Sequence, residues 1–318
     1  MSGSRSSGAA GDPPMTESGP RLLRGGPIAT VIREQVAADV AAFRADNGYA
    51  PALAVVVVGK DAPSAVYLHK ILDGCRLVGI EDRLVELPAD SGEADIAAAL
   101  RTVQRDPRVA GIITQMPLPP GIPLRAVIDV LDPMRDIDGI HPLNAGLLSL
   151  GYEGFLPATA HASIEILKQS GIEIAGKHAV VIGRSNVIGK PAALLLVREN
   201  ATVTICHSKT ADLASVIRTA DIVVVAIGKA NFVTGAMLKP GAVVVDVGIN
   251  VVEGKLVGDV EFASACEVAS AITPVPGGVG PLTNAILLTH LVRAARNQAQ
   301  GLVPLGAHSL AVAMPEAR

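Results

Sequence analysis

The 318-residue sequence has no tryptophan, and aromatic residues make up only 2% of it. A single-stranded nucleic-acid surface needs aromatic faces for bases to stack on, so none is expected. Charge is also scarce: 18% of residues are charged and the net charge is -3. That removes the basic field that duplex nucleic acid or an anionic membrane would require. Only three cysteines occur (Cys75, Cys206 and Cys266), far apart, with no CxxC and no metal-ligand spacing. Buried free thiols in a reducing compartment are expected, and no metal. No segment approaches the roughly 20 apolar residues of a membrane span. Arg5 is followed by no apolar stretch, so a secretory signal is not expected either. These absences point to a cytoplasmic protein whose core is built from Val, Ile, Leu and Ala.

Pattern is concentrated in the middle of the chain. Residues 1–20 are rich in Ser, Gly and Pro with little to bury, and are expected to form a disordered tail. Residues 298–318 are weakly patterned, and a flexible tail is expected there. Between them, Ile28–Phe43 carries helical apolar spacing, and Leu53–Val58 is a β-branched run closed by Gly59 that predicts a buried strand. Ala65–Leu77 predicts a helix ended by Gly79, Ala94–Gln104 another helix, and Val109–Thr114 a strand. This first α/β unit closes around Leu150. In the second unit, Ala179–Ile182, Thr202–Cys206, Asp221–Ala226 and Ala242–Val247 are Val/Ile-rich runs. Helix-length segments separate the first three, and a shorter stretch punctuated by Gly and Pro precedes the fourth. A parallel sheet with crossover helices has this sequence form. A last helix, Ala285–Ala295, could pack on either unit. The expected fold class is α/β, with two α/β domains forming a cleft, the second of Rossmann type.

The strand Ala179–Ile182 runs into Gly183-Arg184-Ser185-Asn186-Val187-Ile188-Gly189-Lys190-Pro191 and then a helical Ala192–Leu196. A glycine at the strand end permits a tight turn. A second at the helix start lets a pyrophosphate approach the amide hydrogens and the helix dipole. The glycines are six apart rather than in GxGxxG, so this loop alone fits a plain strand–helix turn equally well. The next strand adds a charge argument. An NAD site usually carries Asp or Glu there for the ribose 2′-hydroxyl. Here the strand ends in Cys206-His207-Ser208-Lys209-Thr210, without an acid. Hydroxyls and a cation suit a 2′-phosphate, and Arg184 adds a second cation. A solvated loop is the plain alternative; the charges favour NADP over NAD.

Several runs together resemble the bifunctional methylenetetrahydrofolate dehydrogenase/cyclohydrolase family. They are Val181-Ile182-Gly183-Arg184-Ser185 with Gly189 and Pro191, Thr202 to Thr210, and Asp246-Val247-Gly248-Ile249-Asn250. The most specific is Thr273-Pro274-Val275-Pro276-Gly277-Gly278-Val279-Gly280-Pro281-Leu282-Thr283. The first unit agrees in Ser64…Tyr67, Gln115-Met116-Pro117-Leu118-Pro119 and Asp136-Ile137-Asp138-Gly139-Ile140-His141-Pro142…Asn144. The resemblance covers about Leu22 to Ala295. It implies a substrate domain over residues 21–150 with a returning helix at 284–297, and an NADP-binding Rossmann domain over 151–283. It also implies a homodimer, with hydride transfer from 5,10-methylenetetrahydrofolate to NADP+ and hydrolysis of the resulting methenyl cation. Carried over by position, Gly183, Arg184, Ser185, Gly189, His207, Ser208 and Ile249 would contact the cofactor. Ser64, Tyr67, Gln115, Asp138, the loop Pro276, Gly277, Gly278, Val279 and Gly280, and Thr283 would contact the substrate. Tyr67, Gln115 and Asp138 would be the catalytic set. The chemistry is consistent: a carboxylate at 138 accepts paired hydrogen bonds from an aminopyrimidine edge, an amide at 115 orients a reacting nitrogen or water, and a phenol at 67 covers a ring.

Two positions depart from the family pattern. The family has a catalytic lysine four residues after the tyrosine; this chain has Ile71, and the twelve-residue interval from Tyr67 to Gly79 is the same as in the family, so an insertion or deletion is not the obvious explanation. Lys70 is a possible substitute, turned by about 100° around the helix. Where the family reads Pro-Cys-Thr-Pro-x-Gly, this chain has Pro157-Ala158-Thr159-Ala160-His161-Ala162. Redox competence with weak or absent cyclohydrolase is therefore expected. An NADPH-dependent reductase of a non-folate imine or iminium compound is the alternative, and a catalytically silent binding homologue a third. Retention of Tyr67, Gln115 and Asp138 argues against the third.

Overall fold

The protein is described by a computed structural model covering residues 19–59 and 62–302, with the backbone alone for residues 62–67. Most of both predicted tails, and the side chains of Ser64 and Tyr67, lie outside the described residues.

The first unit begins with a two-residue strand β1 (Arg21–Leu22) and helix α1 (Gly25–Asn47). Next come β2 (Ala52–Val58), α2 (Ala62–Val78), β3 (Glu81–Leu87), α3 (Glu93–Gln104) and β4 (Val109–Thr114). Short helices α4 (Arg125–Ile128) and α5 (Pro142–Leu150) close it. Its sheet is fully parallel with order β3-β2-β4. The central β2 (ALAVVVV) is buried along most of its length, as its unbroken apolar run requires. Helix α1 buries Ala29, Val36, Val40 and Phe43 at helical spacing and stops at Gly48, which takes the left-handed φ of 77° that favours glycine.

The second unit opens with α6 (Ala158–Gln169) and continues through β5 (His178–Ile182), α7 (Gly189–Arg198), β6 (Thr202–Cys206), α8 (Leu213–Ile217) and β7 (Ile222–Val225). Then follow β8 (Val243–Asp246), a hairpin of β9 (Asn250–Val252) and β10 (Lys255–Val257), α9 (Phe262–Cys266), β11 (Ala271–Ile272) and α10 (Val279–Ala299). The six-stranded sheet is parallel throughout, in the order β1-β11-β8-β7-β5-β6. The chain reverses its direction of winding between β5 and β7. A parallel α/β sheet opens its ligand crevice at such a switch point, outside the carboxyl ends of the strands.

Several elements differ from the sequence expectation. Strand β3 (EDRLVEL) was not predicted, because an edge strand with one wet face keeps its charges. The segment between β6 and β7 holds only the five-residue α8. Helix α10 starts at Val279, so Val279, Gly280 and Pro281 form its first turn instead of a loop. A proline fits there because first-turn amides have no helical acceptor. Strand β1, from the first unit in sequence, pairs with β11 in the second sheet. Cys75 and Cys206 are buried free thiols, but Cys266 is only partly buried, since α9 is a short surface helix.

Helix α10 packs against α1, α2 and β4 and also against α6. One apolar cluster runs through it from Leu53 and Ile71 to Val181 and Val224, joining both sheets. Among the described residues no helix is long and apolar enough to cross a membrane.

Candidate active site

The cofactor-type loop lies at the carboxyl end of β5. Gly183 has a φ of 124°, and a Cβ added to it would stand 2.2 Å from the Ala226 carbonyl oxygen after β7. A Cβ on Gly189 would stand 2.2 Å from the Gly183 oxygen and 2.8 Å from the Arg184 nitrogen. The loop therefore folds back onto itself with no room for a side chain at either glycine. Ser185 Oγ accepts the amides of Ile188 at 3.1 Å and Gly189 at 3.3 Å, which holds the turn while leaving its hydroxyl hydrogen free to donate. Arg184 is exposed and has no partner among the described residues. The parallel register pairs Ile182 with Cys206, so Arg184 and Ser208 follow neighbouring strand ends. His207 Nδ1 accepts the Lys209 amide at 3.1 Å, and Thr210 Oγ1 accepts the His207 amide at 2.9 Å. The turn is self-capped, with Ser208 and Lys209 exposed. This cradle fits a dinucleotide: backbone closeness for a pyrophosphate, and unpaired cationic and hydroxyl groups at the second strand for a phosphate.

Asp259 was not singled out in the sequence, yet it organises the opposite lip of this crevice. It is fully buried and accepts three consecutive amides after β7: Ile227 at 2.7 Å, Gly228 at 2.9 Å and Lys229 at 2.8 Å. Asn250 Nδ2 donates a fourth bond at 2.9 Å. Asp246, at the end of β8, accepts from the amides of Gly248, Asp259 and Val260, and burial pushes its pKa up to about 6. The only sequence signal for Asp259 was an acid inside the apolar run Val257-Gly258-Asp259-Val260. The three amides it accepts lie some thirty residues away and cannot be read locally.

A cleft of about 640 Å³ opens beside that lip. Its walls bring Ile249, from the cofactor set, together with Pro276 to Gly280 and Thr283 from the substrate set. Lys70 lines it from α2. Asn284 Nδ2 donates to the Lys70 carbonyl at 3.0 Å, and a Cβ on Gly74 would stand 2.6 Å from Asn284 Oδ1. The cleft-facing side of α2 is thereby held against α10. Ile71, the next residue, is 1% exposed and belongs to the apolar core.

Gln115 and Asp138 do not line that cleft. Both lie at the carboxyl end of β4, where a parallel bridge pairs Ile112 with Asp136. Gln115 Nε2 donates to the Met116 carbonyl at 3.1 Å; its Oε1 is buried without a hydrogen-bond partner, as is Thr114 Oγ1 beside it. Asp136 is fully buried and accepts from the Ile140 amide, the His141 amide and Asn144 Nδ2. Asp138 has no hydrogen-bond partner among the described residues. One edge of it reaches solvent, but protein surrounds the carboxyl; desolvation pushes its pKa up to about 7, with the Asp136 charge adding. The departure at 157–162 forms the start of α6, with Ala158, Ala160 and Ala162 buried and Thr159 facing the cleft.

A doubly wound parallel sheet with a glycine cradle at its switch point, joined to a second parallel sheet across a cleft, defines a two-unit dinucleotide-dependent dehydrogenase. Comparison with known proteins narrows this class. Residues 23–138 match the tetrahydrofolate dehydrogenase/cyclohydrolase catalytic domain, and residues 157–299 match the NAD(P)-binding domain of the same name. A bifunctional protein FolD from Roseiflexus sp. (strain RS-1) is 49% identical over 278 residues, spanning 87% of this chain and 96% of the relative. The crystal structure of the FolD methylenetetrahydrofolate dehydrogenase/cyclohydrolase from Campylobacter jejuni is similar at a TM-score of 0.85 and 40% identity, covering 87% of this chain and 99% of that one. The Trypanosoma brucei methylenetetrahydrofolate dehydrogenase-cyclohydrolase, solved with NADP and an inhibitor, gives a TM-score of 0.85 at 34% identity over 89% of this chain and 99% of its own. The chain belongs to the tetrahydrofolate dehydrogenase/cyclohydrolase family and is an oxidoreductase with that family's NAD(P)-binding domain.

Proposed function

We propose that this protein oxidises 5,10-methylenetetrahydrofolate to the methenyl compound with NADP+, and that its cyclohydrolase step is weak or lost. The observation that carries the second half is at Ile71. An apolar side chain, fully buried, stands at the position to which the family resemblance assigns a lysine, while Gln115 Oε1 is buried without a donor. NADP, the cofactor, supplies the hydride acceptor when bound. Dehydrogenation is driven by the nitrogen lone pairs flanking the methylene carbon, so it asks the protein for alignment more than for an acid. Gly183 and Gly189 let the backbone approach the pyrophosphate, Arg184 and Ser208 face the 2′-phosphate, and Asp259 holds the facing lip in place. Hydrolysis differs, because protons must move between nitrogen and oxygen, and an isoleucine moves none. Lys70 reaches the cleft from a different Cα, without the same alignment. Within this reading residues 21–150 with 284–297 bind substrate, residues 151–283 bind NADP, and the chain works as a cytoplasmic homodimer. Following the methenyl absorbance and its decay separately, with methylenetetrahydrofolate and NADP+, tests it: absorbance should accumulate and decay at the uncatalysed rate. Rapid decay would refute the loss.

Cofactor choice follows from charge. With cations at Arg184 and Lys209 and no acid from Cys206 to Thr210, NADP(H) should bind at least about tenfold more tightly than NAD(H). Calorimetry with both decides it, and equal affinities would remove the 2′-phosphate assignment.

Asp138 gives a pH-dependent expectation. An aminopyrimidine edge offers two donors, so the ionised carboxylate is the binding form. With its pKa raised to about 7, Asp138 is mostly protonated below neutrality, and charging proceeds as pH rises. The KM for the folate should therefore fall between about pH 6 and pH 8. Asp138→Asn should abolish this dependence and raise the folate KM by about tenfold or more, since charge-assisted hydrogen bonds contribute about 1.5–3 kcal/mol each. NADP affinity should stay unchanged. An unaltered folate KM in the variant would favour a non-folate imine substrate.

A further inference from the structure

Two histidines take no part in the mechanism above, His290, which is buried, and His161, which is half-buried. His290, on α10, is 3% exposed, and its Nδ1 lies 2.8 Å from the carbonyl oxygen of Ile137. A carbonyl only accepts, so Nδ1 carries the hydrogen and donates. Burial keeps the ring neutral. The imidazole is fixed from two sides: His161 of α6 stacks on it at 5.7 Å and 16°, and Phe155 packs against it at 5.7 Å and 59°. Arg293, one turn further along α10, lies over the Phe155 ring at 4.4 Å.

Ile137 separates the two acids of the 136–138 segment. Asp136 is engaged by three donors, whereas Asp138 has none. On the far side, Gly139 has a φ of 69°, and a Cβ there would stand 2.5 Å from the Leu156 carbonyl carbon and 2.6 Å from the Pro157 nitrogen. The backbone carrying Asp138 is thus anchored one residue before, by His290, and one residue after, by the 155–157 segment. We propose that His290 is a positioning residue: by holding the Ile137 carbonyl it sets the direction of the Asp138 carboxyl and so the affinity for the substrate's donor edge. This rests on the reading that Asp138 binds the folate.

The test compares His290→Ala, His290→Asn and His290→Gln with Asp138→Asn, measuring KM for methylenetetrahydrofolate and for NADP+ in the full chain. Asparagine places an N–H at the same bond distance from Cβ as Nδ1, and glutamine places it one bond further. Glutamine, however, is nearer to histidine in volume. If the hydrogen bond matters, Asn should stay within about twofold of the parent, while Gln and Ala raise the folate KM by about tenfold, a typical hydrogen-bond effect. The NADP+ KM should not move. Should Ala fail to fold, the Asn and Gln pair still decides. Gln matching the parent while Asn fails would mean that His290 only fills space, and would overturn the proposal. So would an unchanged folate KM in every His290 variant when Asp138→Asn raises it. If Asp138→Asn itself has no effect, the reading of Asp138 falls, and this inference with it.

Discussion

Ile71→Lys is expected to raise methenyltetrahydrofolate hydrolysis by about 100-fold over the parent, the lower range of what general acid–base help contributes. Hydride transfer should change far less. Position 71 is 1% exposed, so an ammonium placed there is desolvated and its pKa pushed down toward neutrality, the range in which an acid–base group works best. Burying an unpaired charge costs several kcal/mol, and a lower melting temperature is expected. Ile71→Met serves as the control: it keeps an apolar chain of similar volume and should leave hydrolysis unchanged. Two results would refute the argument. If the parent already hydrolyses the methenyl compound quickly, Lys70, His69 or another group has taken over. If Ile71→Lys folds, binds folate and stays inactive, the result points to a different substrate.

Gly189→Ala is expected to weaken NADP binding by about 100-fold, roughly 3 kcal/mol, with the folate side little changed. The new methyl would sit 2.2 Å from the Gly183 oxygen and 2.8 Å from the Arg184 nitrogen. Both are backbone atoms, so neither can swing aside as a side chain would. Relief requires the loop to open, which displaces Arg184 and breaks the two amide bonds to Ser185 Oγ. Gly26→Ala provides the contrast, since nothing lies within 4 Å of its added Cβ and it sits in the first turn of α1. Calorimetric titration of both variants with NADP+ checks this. A Gly189→Ala protein that binds NADP+ like the parent would show that the loop does not cradle the pyrophosphate.

The sequence alone determined the α/β class, most of the Val/Ile strands, the glycine turn after β5 and the absence of an acid from Cys206 to Thr210. These are local properties: a period of two or 3.6 residues, a glycine at a strand end, a missing charge. Pairings between distant segments were decided by the tertiary structure. Strand β3 was invisible because its charged face is allowed only at a sheet edge, and a single strand does not say where the edge is. The first turn of α10 was hidden in a Gly/Pro run that reads as loop until packing against α1 and α2 holds it helical. Lys70 and Ile71 are neighbours in sequence, yet the docking of α2 by Asn284 sends one into the cleft and the other into the core. Asp136 and Asp138 likewise look equivalent, but folding surrounds the first with three donors and leaves the second without any. Asp259 and His290 acquire their roles only from backbone groups roughly thirty and one hundred and fifty residues away. The sequence carries such contacts only through the packing of the whole core, because no local periodicity records which remote amide or carbonyl a buried side chain will meet.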